Sequence, residues 1–146
     1  MALYIDTSCF LKLFFLEPET SRIGELVSGE ARVVVSTLTR LEAASQIHGR
    51  VASRVLSRNR GLTLLRRIDE MLEAEPYELV FCPASVIEVA EAQVRTLARP
   101  AHCRTLDRLH LATMQALGLQ RLLTNDDRQA TAARALGFEV NLPREH

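Results

Sequence analysis

Short apolar runs alternate with longer stretches of helical periodicity along this chain, and that alternation restricts its fold more than any other feature. Ala2 to Ile5 reads as a strand, and Asp6, Thr7 and Ser8 read as the N-cap region of a helix running from Cys9 to Leu16. Ser21 to Ser28 is a second short helix closed by Gly29, and Arg32 to Val35 is a strand rich in β-branched residues. Thr39-x-x-Glu42 has capping-box spacing and predicts a helix running past Ile47, with Glu42 in its first turn. Further helices are predicted over Gly61 to Glu75, Ala84 to Leu97, Thr105 to Leu117 and Asp127 to Leu136. Leu79 to Phe81, Leu122 to Thr124 and Phe138 to Leu142 are the remaining strands. Strands that alternate with helices predict an α/β domain whose mainly parallel sheet is covered on both faces. At 146 residues with 47% hydrophobic content, the expectation is one domain over residues 1–146.

In such a sheet, ligands bind outside the carboxyl ends of the strands. Several chemistries common on α/β folds lack their residues here. There is no GxGxxG after the first strand, no GxxxxGK[ST] and no GxSxG. Lys12 is the only lysine. Eighteen basic residues balance eighteen acidic ones, so strong non-specific attraction to nucleic acid or anionic lipid is not a whole-chain property. Cys9, Cys82 and Cys103 are widely spaced with no CxxC, and no stretch has the length or flanks of a membrane span or signal peptide. The expectation is a soluble cytoplasmic protein without disulfides or structural zinc.

Carboxylates remain. The chain has thirteen Glu but only five Asp, and four of those Asp fall where strands end or helices begin. Asp6 ends the first strand, Asp126 and Asp127 follow the fourth, Asp107 opens a helix, and Asp69 alone lies mid-helix. Taken singly, each strand-end acid has a plain role as a helix cap. Taken together, their strands lying side by side would crowd the charges onto one edge. At 4 Å and an effective dielectric near 20, each like-charged pair costs about 4 kcal/mol. Such a group persists when a proton or a cation neutralises it, and oxygen-only ligands select Mg²⁺ or Mn²⁺.

Four blocks carry a resemblance to a known family: Tyr4-Ile5-Asp6-Thr7-Ser8, Leu41-Glu42-Ala43, Leu106-Asp107-Arg108-Leu109-His110-Leu111-Ala112 and Leu123-Thr124-Asn125-Asp126. In order and spacing they resemble the signature blocks of PIN domains, above all the VapC-type toxins of toxin–antitoxin pairs. The likeness continues through Ala132 to Val140. It implies a three-layer α/β/α sandwich around a five-stranded parallel sheet. The implied activity is metal-dependent endoribonuclease, cutting RNA to 5′-phosphate and 3′-hydroxyl ends. Carried over residue by residue, Asp6, Glu42, Asp107 and Asp126 form the acidic quartet that holds Mg²⁺ or Mn²⁺. Thr7, Ser8 and Thr124 would orient ligands or water, and Arg104 and Arg108 would contact phosphate. Asn125 stands where the family often has an aromatic residue, and Asp127 offers a second acid beside Asp126. Implied partners are an RNA substrate, a cognate antitoxin that inserts a basic side chain among the carboxylates, and a second copy in a homodimer. The alternative is a PIN-like module that binds RNA or protein without cutting; a DNA nuclease using the same metal chemistry is a third. His110, three residues after Asp107, reads as a hydrogen-bonded structural residue, and the arginines between Arg50 and Arg67 as a solvated face.

Overall fold

The computed structural model describes residues 1–144. Its strands are β1 (Leu3–Ile5), β2 (Val33–Ser36), β3 (Tyr77–Val80), β4 (Arg121–Leu123) and β5 (Glu139–Asn141). Its α-helices are α1 (Thr7–Phe10), α2 (Thr20–Ser28), α3 (Thr37–Ala52), α4 (Arg58–Leu72), α5 (Val86–Arg95), α6 (Thr105–Leu117) and α7 (Asp127–Ala135), with a 3₁₀ turn over Leu11–Leu13. All strand pairs are parallel, in the order β3-β2-β1-β4-β5. The first strand in chain order is therefore central, flanked by β2 and β4. This is the side-by-side placement on which the crowding of acids depends.

Alternation along the strands divides the core into two layers. Leu3, Ile5, Val33, Val35 and Leu123 point to one face, where Cys9, Phe10, Ile23, Ala43, Ile47, Leu64 and Ile68 pack on them. Tyr4, Val34 and Leu122 point to the other, against Leu111, Met114, Ala132, Ala133 and Phe138. Helices cover both faces, which makes the three-layer sandwich expected for this pattern.

Several boundaries differ from the sequence expectations, each for a local reason. The second-strand helix is capped by Ser36, whose hydroxyl accepts from the Thr39 backbone N–H at 3.2 Å, so Thr39-x-x-Glu42 is not a capping box. The Thr39 hydroxyl is buried and donates to the Ile5 carbonyl. Glu42 consequently lies in the second turn of α3, not the first. The fourth helix begins at Arg58 rather than Gly61, because Ser57 supplies the N-cap. The third strand starts at Tyr77, which pairs with Val33.

Gly61 sits where α4 approaches α3. A Cβ there would stand 2.7 Å from Cγ2 of Val51, a rigid β-branched side chain with little room to yield. Gly61→Ala is expected to destabilise the fold by about 1–3 kcal/mol, because overpacking outweighs the gain in helix propensity. Chemical denaturation would show a lowered midpoint with an unchanged slope.

Candidate active site

Asp6 is the deepest of the acids. It follows β1, its backbone N–H donates to the Leu123 carbonyl of β4, and its side chain is 3% exposed. Three donors converge on its carboxylate: the Ser8 hydroxyl at 2.6 Å, the Thr124 hydroxyl at 2.5 Å and the Cys9 backbone N–H at 3.3 Å. Burial raises its carboxyl above the usual range, and the His110 charge and these hydrogen bonds only partly offset that. Thr124 and Ser8 also tie this group to the end of β4. Thr124 Oγ1 accepts from the Asp126 N–H at 3.2 Å, and Ser8 Oγ accepts from the Asn125 N–H at 2.9 Å.

Asp126 caps α7, accepting from the Gln129 N–H at 2.9 Å. The Gln129 side chain is fully buried and donates to the Asp107 carbonyl at 3.0 Å, so one residue ties the starts of α6 and α7 together. Sequence reasoning missed Gln129; its position three after Asp126 is the only signal, and Gln at that spacing is common. Asp127 is set apart, exposed and ion-paired with Arg144.

Asp107 lies in the first turn of α6, 8% exposed, and accepts from Arg104 Nε at 3.0 Å. The Arg104 guanidinium is held more firmly protonated by the Asp107 hydrogen bond and charge, with Asp126 and Glu42 adding to the effect. A mainly exposed cation thus pairs with Asp107 and feels the charges of two more of the four acids. Glu42 reaches the same region from α3. Its Oε1 meets the Thr7 hydroxyl at 2.8 Å and His110 Nε2 at 2.5 Å. Burial works to raise the Glu42 carboxyl, but the His110 contact and the Thr7 hydroxyl hold it below the usual carboxylate range.

Thr7, Ser8 and Thr124 therefore act on carboxylates here, each donating its hydroxyl to an acid. Arg108 is turned the other way. It is 8% exposed and donates to the Ala101 carbonyl at 2.8 Å and to Gln93 Oε1 at 3.4 Å. It borders a cleft of about 320 Å³ whose walls contain none of the four acids. The helical (i, i+1) step from Asp107 forces this divergence, since adjacent residues on a helix do not share a face. In the arginine-rich stretch, Arg50 stacks 3.8 Å over the Phe15 ring and Arg67 lies 5.7 Å from that of Phe14, so two of these side chains cover aromatic surface.

The donor set is carboxylate and hydroxyl oxygen, which suits a hard cation. Among the described residues no three His, Cys, Asp or Glu side chains converge closely enough to form a ready-made cage. Mg²⁺ needs none, because it keeps several waters and uses one or two carboxylates plus a substrate phosphate. Among the described residues, Glu42 Oε2, Asp107 Oδ1 and Asp126 Oδ2 accept no hydrogen bond. With Arg104 already drawn to these acids, the residues fit a divalent cation.

Comparison with known proteins bears on the family and the fold. The profile of the PIN domain family matches residues 3–135. Ribonuclease VapC46 of Mycobacterium tuberculosis is 33% identical over 144 residues, covering 97% of this chain and 98% of that protein. Ribonuclease VapC35 of the same species is 30% identical, covering 97% and 96%. VapBC-1 from nontypeable Haemophilus influenzae superposes with a TM-score of 0.71 at 17% identity, over 99% of this chain and all of that one. M. tuberculosis VapC20, a sarcin–ricin loop cleaving toxin, superposes at 0.67 with 18% identity, over 93% and 95%. At these identities the structural matches speak to the fold.

Proposed function

Because the chain belongs to the PIN domain family, we propose that it is a VapC-type ribonuclease toxin that hydrolyses RNA with a divalent cation. The observation that supports this most is the strand-end setting of the acids: Asp6 follows β1 and Asp126 the neighbouring β4, while the Arg104 guanidinium pairs with Asp107 and feels the charges of Asp126 and Glu42. Asp6, Asp107 and Asp126 would hold Mg²⁺ or Mn²⁺, with Glu42 beside them. When bound, the ion supplies an acidified water and neutralises charge on the phosphoryl oxygens. The residues of the chain do the positioning. Ser8 and Thr124 fix the Asp6 carboxylate through both its oxygens, and Gln129 fixes the backbone spacing of Asp107 and Asp126. Glu42, held ionised with Oε1 engaged, offers Oε2 as a proton acceptor. Arg104 is long, exposed and free to leave Asp107 for an RNA phosphate.

The proposed unit is one domain over residues 1–146, acting as a homodimer in the cytoplasm. Among the described residues no helix is long and apolar enough to cross a membrane. A cognate antitoxin is the proposed partner, placing a basic side chain where Arg104 now lies. The VapBC-1 structure, which shares this fold, supports an antitoxin as the partner.

Inducing the chain without an antitoxin and sequencing new 5′-monophosphate RNA ends, with Asp6→Asn in parallel, tests the proposal. Sharp ends from wild type alone are expected. Identical maps from both soluble proteins would favour a non-catalytic binding module. Arg104→Gln has its own signature. Removing one phosphate contact should lower the salt slope of single-stranded RNA binding by about 0.7, whatever the RNA sequence. Fluorescence anisotropy across a KCl series reads it, and an unchanged slope would exclude Arg104 from the backbone contacts.

A further inference from the structure

We infer that Tyr4 and His110 form a buried strut that positions the Glu42 carboxylate, with His110 donating from Nε2 and Tyr4 fixing the ring through Nδ1. The inference rests on the metal-dependent reading above and assigns that site positioning residues beyond its acids and hydroxyls.

His110 is 1% exposed and Tyr4 not at all. Polar groups this deep are costly unless paired. Here each has its partner within one chain of contacts. The Thr39 backbone N–H donates to Ser36 Oγ at 3.2 Å, Ser36 Oγ lies 2.8 Å from the Tyr4 hydroxyl, and that hydroxyl lies 2.6 Å from His110 Nδ1. The far side of the ring meets Glu42 at 2.5 Å. An ionised Glu42 can only accept, so the ring hydrogen facing it sits on Nε2. With that single ring hydrogen Nδ1 accepts from the Tyr4 O–H, and with a second one Nδ1 donates to the Tyr4 oxygen while its O–H turns to Ser36 Oγ; either way Tyr4 holds the ring. Burial keeps that phenol protonated, and the Tyr4 and His110 rings meet edge-on with centroids 5.8 Å apart.

The strut answers a need peculiar to Glu42. Asp6 and Asp126 are fixed by short side chains at strand ends and by the helix N-termini they cap. Glu42 lies in the second turn of a helix on a longer, more flexible side chain, where no free backbone N–H is available to anchor it. His110 and Thr7 both hold Oε1, which leaves Oε2 as the working oxygen. Outer hydrogen-bond partners of this kind typically govern metal affinity or activity by about 10–100-fold.

Mn²⁺ binding to the purified full chain, read by electron paramagnetic resonance of the free ion, tests the strut without any RNA. His110→Leu should weaken Mn²⁺ by about 10-fold or more, whereas His110→Gln, which keeps an N–H near Nε2, should recover most of the affinity. Tyr4→Phe should fall between them. In a Glu42→Gln background, His110→Leu should add little, because its effect passes through Glu42; a merely structural histidine would give additive losses. Thermal melts without metal identify any variant that fails to fold, and His110→Gln and Tyr4→Phe then decide the matter. Wild-type affinity in His110→Leu, or full additivity, with Asp6→Asn and Glu42→Gln both impaired, overturns the strut alone. Wild-type affinity in Asp6→Asn and Glu42→Gln as well would sink the metal reading and the strut with it.

Discussion

Asp6→Asn is expected to remove RNA cleavage by more than about 100-fold, since groups one contact further from a metal already cost about 10–100-fold. The same change should make the metal-free protein more stable, which separates loss of chemistry from loss of fold. The reason lies in the depth of the side chain. Burial raises the folded Asp6 carboxyl above its unfolded value, so the folded chain binds this proton more tightly than the unfolded chain. The Asp6 contribution to stability is therefore fully present below the ordinary carboxylate range, about pH 4, and is lost as pH rises through the raised folded value. Glu42 runs the other way. Its folded carboxyl is lowered, so its contribution is present above the unfolded value and lost as pH falls through the folded one. Asn at position 6 removes the first slope and keeps the second. Its amide can still accept from Ser8 or Cys9, and the Thr124 hydroxyl can turn to accept from it. Thermal melts of both proteins without metal, from about pH 4 to neutral, check this. A variant that is inactive and also less stable at neutral pH would mean that Asp6 is chiefly a structural cap.

Divalent metal is expected to stabilise the fold strongly, which is the second large effect. A ligand that binds only the folded chain stabilises it by about 2.7 kcal/mol when present at a hundred times its dissociation constant. For a domain of this size that corresponds to a rise in Tm of roughly 5–11 °C. Part of the gain comes from relieving repulsion among the carboxylates, a role that Arg104 plays weakly through a largely exposed ion pair. The double variant Asp6→Asn, Asp107→Asn should melt at the same temperature with and without Mn²⁺. Differential scanning calorimetry with EDTA and with excess Mn²⁺ measures both. No rise in the wild-type chain would argue that these acids do not take up a cation.

The depth of Asp6 came only with the packing around it, while the positions of Asp6 and Asp126 at strand ends were legible in the sequence, because parallel strands end on one edge. The same holds for Asp107, whose place in a first helical turn follows from the periodicity after Arg104. Glu42 was legible as an acid near the start of the helix after β2 but not in its setting. Thr39-x-x-Glu42 has the spacing of a capping box, yet Ser36 wins the cap because it sits at the true strand end, and the Thr39 hydroxyl turns to Ile5 instead. Arg108 read as a phosphate contact because it neighbours Asp107 in sequence, while its buried guanidinium is spent on Ala101 and Gln93.

The periodicities at 2 and 3.6 residues and the acids at their junctions were enough to specify an α/β sandwich and the edge on which its strand-end acids lie. Both are local properties: each strand or helix declares its own period, and parallel crossovers send every strand end the same way. The partners of the side chains were not local. Tyr4 meets His110 across 106 residues, Thr124 meets Asp6 across 118, and His110 meets Glu42 across 68. Those contacts depend on strand order and helix rotation, and they are decided by how the two core layers pack against the central strand.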